Sequence, residues 1–225
     1  SLEIDVVYDP EGGRFSHPKG LDMLTSMGLE PEPYNAETMN EPGFKVLHVP
    51  DIDFRSHCPT FKGCLSDIRD WSQSHSDHLP IIITINPKIS GLERPGFAEV
   101  LPFDRKVLDA LDGEILEIFN DSELVTPKQV KGKQATLRKA IIDKGWPDLA
   151  KVRGKILFVF DAGNELTELY MEGDENYARP MFSSTNNDNP HAALFIMNDP
   201  VKQEKQIAEL VKQGFMVRTR SDADT

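Results

Sequence analysis

Glu3 and Asp5 stand two residues apart in the opening run Leu2-Glu3-Ile4-Asp5-Val6-Val7-Tyr8-Asp9. Leu2, Ile4 and Val6 alternate with them at the period of two that a strand imposes, so the two carboxylates share a face. On a surface edge strand that face simply lies in water. On a buried strand the carboxylates repel each other and each is costly to desolvate alone. A divalent cation offsets both costs, and oxygen ligands of this kind suit Ca2+ or Mg2+. Among the six histidines, His48 alone falls at a strand end with no helix or loop to explain it. Its imidazole can take and give a proton near neutral pH, because its free pKa is about 6.5. His17, His57, His75, His78 and His191 read as structural or exposed, and Asp51 and Asp53 as caps of the turn after Pro50.

These residues need a scaffold that brings strand ends together. After the opening strand, the Gly-, Pro-, Asn- and Glu-rich stretch Pro10–Gly43 reads as a long loop with one helical turn around Leu21–Met27. Loops of this length are usually functional or lids. Further strands are expected at Phe44–Val49, Leu79–Asn86, Lys155–Asp161, Ala192–Asn198 and Phe215–Arg220. Helices are expected at Phe61–His75, near Phe103–Phe119, near Ala135–Lys144 and at Val201–Gln213, the last followed by Gly214. On Phe61–His75 the inward face is Leu65, Ile68 and Trp71. The segment Ile89–Gly154 reads as a large insertion.

Strands apolar on both faces, alternating with helices, predict a parallel α/β sheet. Polar residues gather at the strand ends: Glu3, Asp5, His48, Asn86, Lys88, Asp161, Asn198, Arg218 and Arg220. A TIM-type (β/α)8 barrel presents such ends on one shared face. An open doubly wound sheet calls for a glycine-rich phosphate loop after its first strand, and none is found. The expectation is therefore one partial barrel domain over residues 1–225, with about six of the eight strands. The chain opens inside a strand without an initiator Met, as a mature, trimmed or partial chain does.

Composition narrows the function. The 225 residues carry a formal net charge of −12, and no Lys/Arg cluster suggests a nucleic-acid surface or a polybasic membrane anchor. No apolar run approaches the roughly 20 residues of a transmembrane helix, and no signal peptide opens the chain. Cys58 and Cys64 are six residues apart. They could close an easy disulfide, remain as thiols, or form half of a zinc site that lacks two nearby ligands. A disulfide places the protein outside the cytosol, in an extracellular or periplasmic setting.

Taken together, several stretches resemble the bacterial calcium-dependent phosphoinositide-specific phospholipase C family, relatives of the eukaryotic X–Y barrel enzymes. They are Leu2-Glu3-Ile4-Asp5, Val46-Leu47-His48, Cys58-Pro59-Thr60-Phe61-Lys62-Gly63-Cys64-Leu65, Ile68-Arg69-Asp70-Trp71-Ser72, His78-Leu79-Pro80-Ile81 and the closing Val217–Thr225. The resemblance implies a TIM-type barrel in which Glu3 and Asp5 bind Ca2+, with Mg2+ the alternative ion, and in which His48 is an acid–base group. It places a metal-binding Glu where this chain has Asn86, which removes a negative charge from the site. It places a second catalytic histidine in a Thr-His-Asn motif on a preceding strand. That motif is not in this sequence, so the chain is read as beginning late.

The resemblance further implies a phosphoinositide or other phosphodiester as substrate and a transient membrane surface as a further partner. By their place at strand ends, Lys88 and Arg218 read as substrate contacts at the barrel mouth, and Asp161 as a substrate-orienting group or a loop cap. A glycerophosphodiester phosphodiesterase shares the barrel and the metal pair but expects His-Asp where this chain has His48-Val49. A catalytically inactive barrel that binds a lipid headgroup or a carbohydrate is the reading from another class, kept open by Asn86.

Overall fold

In a computed structural model, which describes residues 1–221, the chain forms two compact units. One comprises residues 3–71 and 85–118, the other residues 1–2, 72–84 and 119 onward. The first holds most of β1 (Leu2–Asp9), α1 (Lys19–Ser26), β2 (Gly43–Val46), most of α2 (Phe61–Ser74), the end of β3 (Ile81–Pro87) and α3 (Arg105–Ile118). Its strand order is β2-β1-β3.

β1 is covered on both sides, with Val6 and Val7 each wholly buried. Val7 packs in a cluster with Phe15, Met39, Leu47 and Phe54. In the same unit Phe44 meets Tyr8, Phe61 and Phe103, at centroid separations of 4.9, 6.4 and 5.8 Å. On α2, Phe61, Cys64 and Leu65 are buried, whereas Trp71, expected on the same face, is 48 % exposed.

β2 departs from the all-parallel expectation. It runs antiparallel to β1, in the register Val6↔Val46 to Asp9↔Gly43. A parallel neighbour requires a crossover that carries the chain back along the sheet. Here the loop from Pro10 to Pro42 closes at the end of β1 where it began, so the two strands form a hairpin with a long loop. A buried ion pair seals that end. Lys45, wholly buried, donates to the carbonyls of Glu41 and Gly43 and lies 3.4 Å from Asp9 Oδ2, which also accepts from the Arg14 amide at 3.2 Å. Burial pulls the Lys45 pKa down while Asp9 opposes the shift.

Glu114 of α3 reaches the same strand start and accepts from the Phe44 amide at 3.0 Å. A Cβ on Gly43 would come 2.5 Å from its Oε1, and Gly43 has φ +115°, so the position demands glycine. Burial raises the Glu114 pKa, with the Phe44 N–H, Lys62 and Lys45 pulling the other way. The native state then binds the proton more tightly than the unfolded chain, so stability falls as pH rises through the carboxylate range and levels off above the raised pKa. Glu114→Gln should remove that slope. The expected gain over wild type is about 1 kcal/mol at neutral pH, shrinking toward zero below about pH 4, in urea melts across pH.

The second unit contains the start of β3, then β4 (Ile156–Phe160), β5 (Phe182–Ser183), β6 (Leu194–Ile196) and β7 (Met216–Arg218). Its helices are α4 (Pro127–Lys131), α5 (Leu137–Lys144), α6 (Leu149–Val152), α7 (Asn164–Met171) and α8 (Glu204–Lys212). Every residue of β4 is buried, as expected of a central parallel strand. β4 pairs in parallel with β5, Ser184 bridges in parallel to Leu194, and β6 pairs in parallel with β7. These strands therefore lie side by side in chain order.

The core of this unit includes Leu157, Val159, Phe182, Leu194 and Phe215. β5 and α7 were not expected from sequence, since a two-residue strand shows no periodicity to read. The stretch expected to be an insertion holds α3 to α6, the helices that connect β3 to β4. Among the described residues no closed barrel is seen. The closing part of the family-like C-terminal stretch, residues 222–225, lies outside the described residues.

Candidate active site

Two backbone bonds organise the site around β1. Leu47 N donates to Asp5 O at 3.2 Å on one side, and Lys88 N donates to Val6 O at 2.9 Å on the other. The residues that follow β2 and β3 are thus held against the middle of β1. Lys88 Nζ lies 2.8 Å from Asp5 Oδ1, both side chains being about one-fifth exposed. Asp5 Oδ1 is a buried oxygen, and this ammonium is its described partner. Asn86, half-buried, precedes Lys88 by two residues and so shares its side of the strand. Glu3 is exposed, near the start of β1.

A calcium ion requires six to eight oxygens. The cation described at Asp5 Oδ1 is the Lys88 ammonium. Among the described residues no three His, Cys, Asp or Glu side chains gather around a common point. Of the residues expected to hold the ion, Asp5 is paired with Lys88, Glu3 is exposed and Asn86 is half-buried.

His48 lies two residues beyond β2, outside the strand that was expected to carry it to Val49. Val49 and Asp53 pair across a tight turn, with Asp53 N donating to Val49 O at 2.8 Å and Val49 N to Asp53 O at 3.4 Å. The turn delivers Asp53 to His48, whose Nδ1 lies 2.8 Å from Asp53 Oδ2. Asp53 is therefore not the turn cap read from sequence. The signal for it was present, since His and Asp flanking the four residues Val49-Pro50-Asp51-Ile52 become neighbours when that segment folds back.

Asp51 is buried and adopts φ 72° at the turn. Its Oδ1 accepts from Lys19 N and its Oδ2 from Ala98 N, both at 2.7 Å, and its carbonyl accepts from Gly20 N at 2.7 Å. It thus caps the N-terminus of α1 from 32 residues away and ties the loop after β3 to the same point. Gly20 is required at this contact: a Cβ there would come 2.6 Å from Asp51 O and from the Phe54 ring. Cys58 and Cys64 form a disulfide, which settles the alternatives left open by their spacing. Pro59, inside that loop, accepts from Val46 N at 2.9 Å and so braces the free edge of β2.

Asp161 and Arg218 belong to the other unit. Asp161 follows β4, and Arg218 ends β7 with its Nη1 donating to Asn198 Oδ1 at 3.2 Å.

The α/β fold is that of bacterial phospholipases C. A calcium-dependent phosphoinositol-specific phospholipase C from Pseudomonas sp., in its apo form, matches with a TM-score of 0.63 at 18 % identity, covering 100 % of this chain and 74 % of that one. A structure of such an enzyme from Pseudomonas sp. described as a myoinositol complex matches with a TM-score of 0.59 at 19 % identity, covering 97 % and 79 %. The Ca2+-dependent phosphatidylinositol-specific enzyme of Streptomyces antibioticus matches with a TM-score of 0.55 at 17 % identity, covering 96 % and 80 %. No curated protein matches the sequence. The family model for phosphoinositide phospholipase C, Ca2+-dependent, matches residues 1–225, and the chain belongs to this family of phosphoric diester hydrolases.

Proposed function

We propose that the protein cleaves the phosphodiester of phosphatidylinositol or a related inositol phosphodiester, with His48 as an acid–base group. The observation that carries this reading is the placement of Lys88 with Asp5 on one side of β1 and His48 on the other, within one unit. With Nδ1 engaged by Asp53, the nitrogen of His48 left to exchange a proton with the reacting oxygens is Nε2. The inositol 2-hydroxyl attacks phosphorus, diacylglycerol leaves, and the two oxygens lose and gain a proton respectively. Lys88 offers its ammonium to the phosphoryl oxygens. Glu3, Asp5 and Asn86 are the residues to hold Ca2+, with Mg2+ the alternative, and the bound ion would stabilise negative charge on phosphoryl oxygens.

The parallel run β4-β5-β6-β7 in chain order supports placing these strands in a TIM-type barrel. The disulfide fits an extracellular or periplasmic setting, and a lipid substrate implies transient membrane contact. Cleavage of phosphatidylinositol in mixed micelles should release a water-soluble inositol phosphate, and a calcium chelator should abolish it. Release of glycerol 3-phosphate from a deacylated substrate would point instead to a glycerophosphodiesterase. Asn86 and the lysine already paired with Asp5 favour a second reading, a catalytically silent headgroup-binding barrel, and binding of inositol phosphates without turnover would establish it.

A further inference from the structure

We propose that Asp53 is the positioning residue of His48, holding the imidazole in the tautomer and orientation that acid–base work requires. This rests on the reading of His48 given above. As a bare ion pair, the contact would matter little. Both side chains are about 60 % exposed, and exposed pairs contribute at most about 1 kcal/mol to stability.

The base on which the pair stands is different in kind. Asp53 is joined to Val49 by two main-chain hydrogen bonds, so the two side chains project from a closed turn. Pro50 inside that turn is buried, and its next residue, Asp51, is pinned to α1 and to Ala98 by a buried carboxylate. Leu47, just before His48, is buried and bonded to β1. His48 and Asp53 are therefore surface side chains on a backbone anchored at Leu47, Pro50 and Asp51. A carboxylate so placed accepts from Nδ1–H, which fixes the neutral ring with its lone pair on Nε2 and fixes the ring plane. Orientation of this sort lowers a barrier without adding to stability.

The test compares Asp53→Ala, Asp53→Glu and His48→Ala, using turnover of a soluble inositol phosphodiester. Long-range proton–nitrogen NMR of 15N-histidine protein reports the His48 tautomer. For Asp53→Ala the expected result is a fall in kcat of about 10- to 50-fold with KM within about twofold of wild type and an unchanged melting temperature. The His48 ring should also change from the Nδ1–H form to a mixture. Asp53→Glu, which keeps the carboxylate, should recover part of the rate and of the tautomer preference. Wild-type kcat in Asp53→Ala with His48→Ala inactive overturns the role of Asp53 while leaving His48 in place. Wild-type kcat in His48→Ala overturns the reading of His48, and the role of Asp53 falls with it. An unchanged tautomer in Asp53→Ala also overturns the proposal.

Discussion

His48→Ala is expected to lower kcat for a phosphatidylinositol-type substrate by at least about 100-fold, the usual scale for loss of a general acid or base. Stability should hardly change. His48 is exposed, its only described partner is an equally exposed carboxylate, and alanine on the same backbone leaves Leu47 and the Val49–Asp53 turn intact. The pairing of a large rate effect with a flat melting temperature is what separates a chemical role from a structural one. KM should stay within a few-fold, because Lys88 and the carboxylate pair do not depend on the imidazole. Steady-state kinetics beside a calorimetric melt check the result, and wild-type turnover would sink the assignment.

Asp51→Ala should show the converse, a protein destabilised by roughly 3–4 kcal/mol. Two amide donors, Lys19 N and Ala98 N, lose a charged acceptor in a buried place, and bonds to charged groups contribute about 1.5–3 kcal/mol each before relaxation. The Lys19 N bond is also the cap of the first turn of α1, so its loss is counted once. The backbone at φ 72° adds a cost of about 1 kcal/mol for alanine that glycine would not carry. Asp51→Gly should therefore be the milder variant by about that amount. Activity should fall in both, because the turn that holds His48 and Asp53 loses its anchor to the two loops. Chemical denaturation of the three proteins gives the ranking, and equal stability of wild type and Asp51→Ala would refute the clamp.

Much of this molecule was legible from sequence, and the reason is local. β4 reads as a buried strand because five consecutive apolar residues leave it no polar face. α2, α3, α5 and α8 read as helices because their apolar residues recur at helical spacing. Glu3 and Asp5 share a face because a strand's period is two, whatever the strand packs against. The order of short motifs was enough to point to the family.

Other features depend on where distant segments meet. That β2 runs antiparallel follows from Asp9 and Gly43 closing the long loop at one end, through a lysine no pattern would have placed in a core. The partner of Asp5 is a lysine 83 residues on, and the anchors of Asp51 are 32 residues before it and 47 after it. Residue types and periods are properties of the chain and can be read along it. Which carboxylate caps a helix, which carries a cation and which turns an imidazole is decided by through-space contacts that only the folded protein creates.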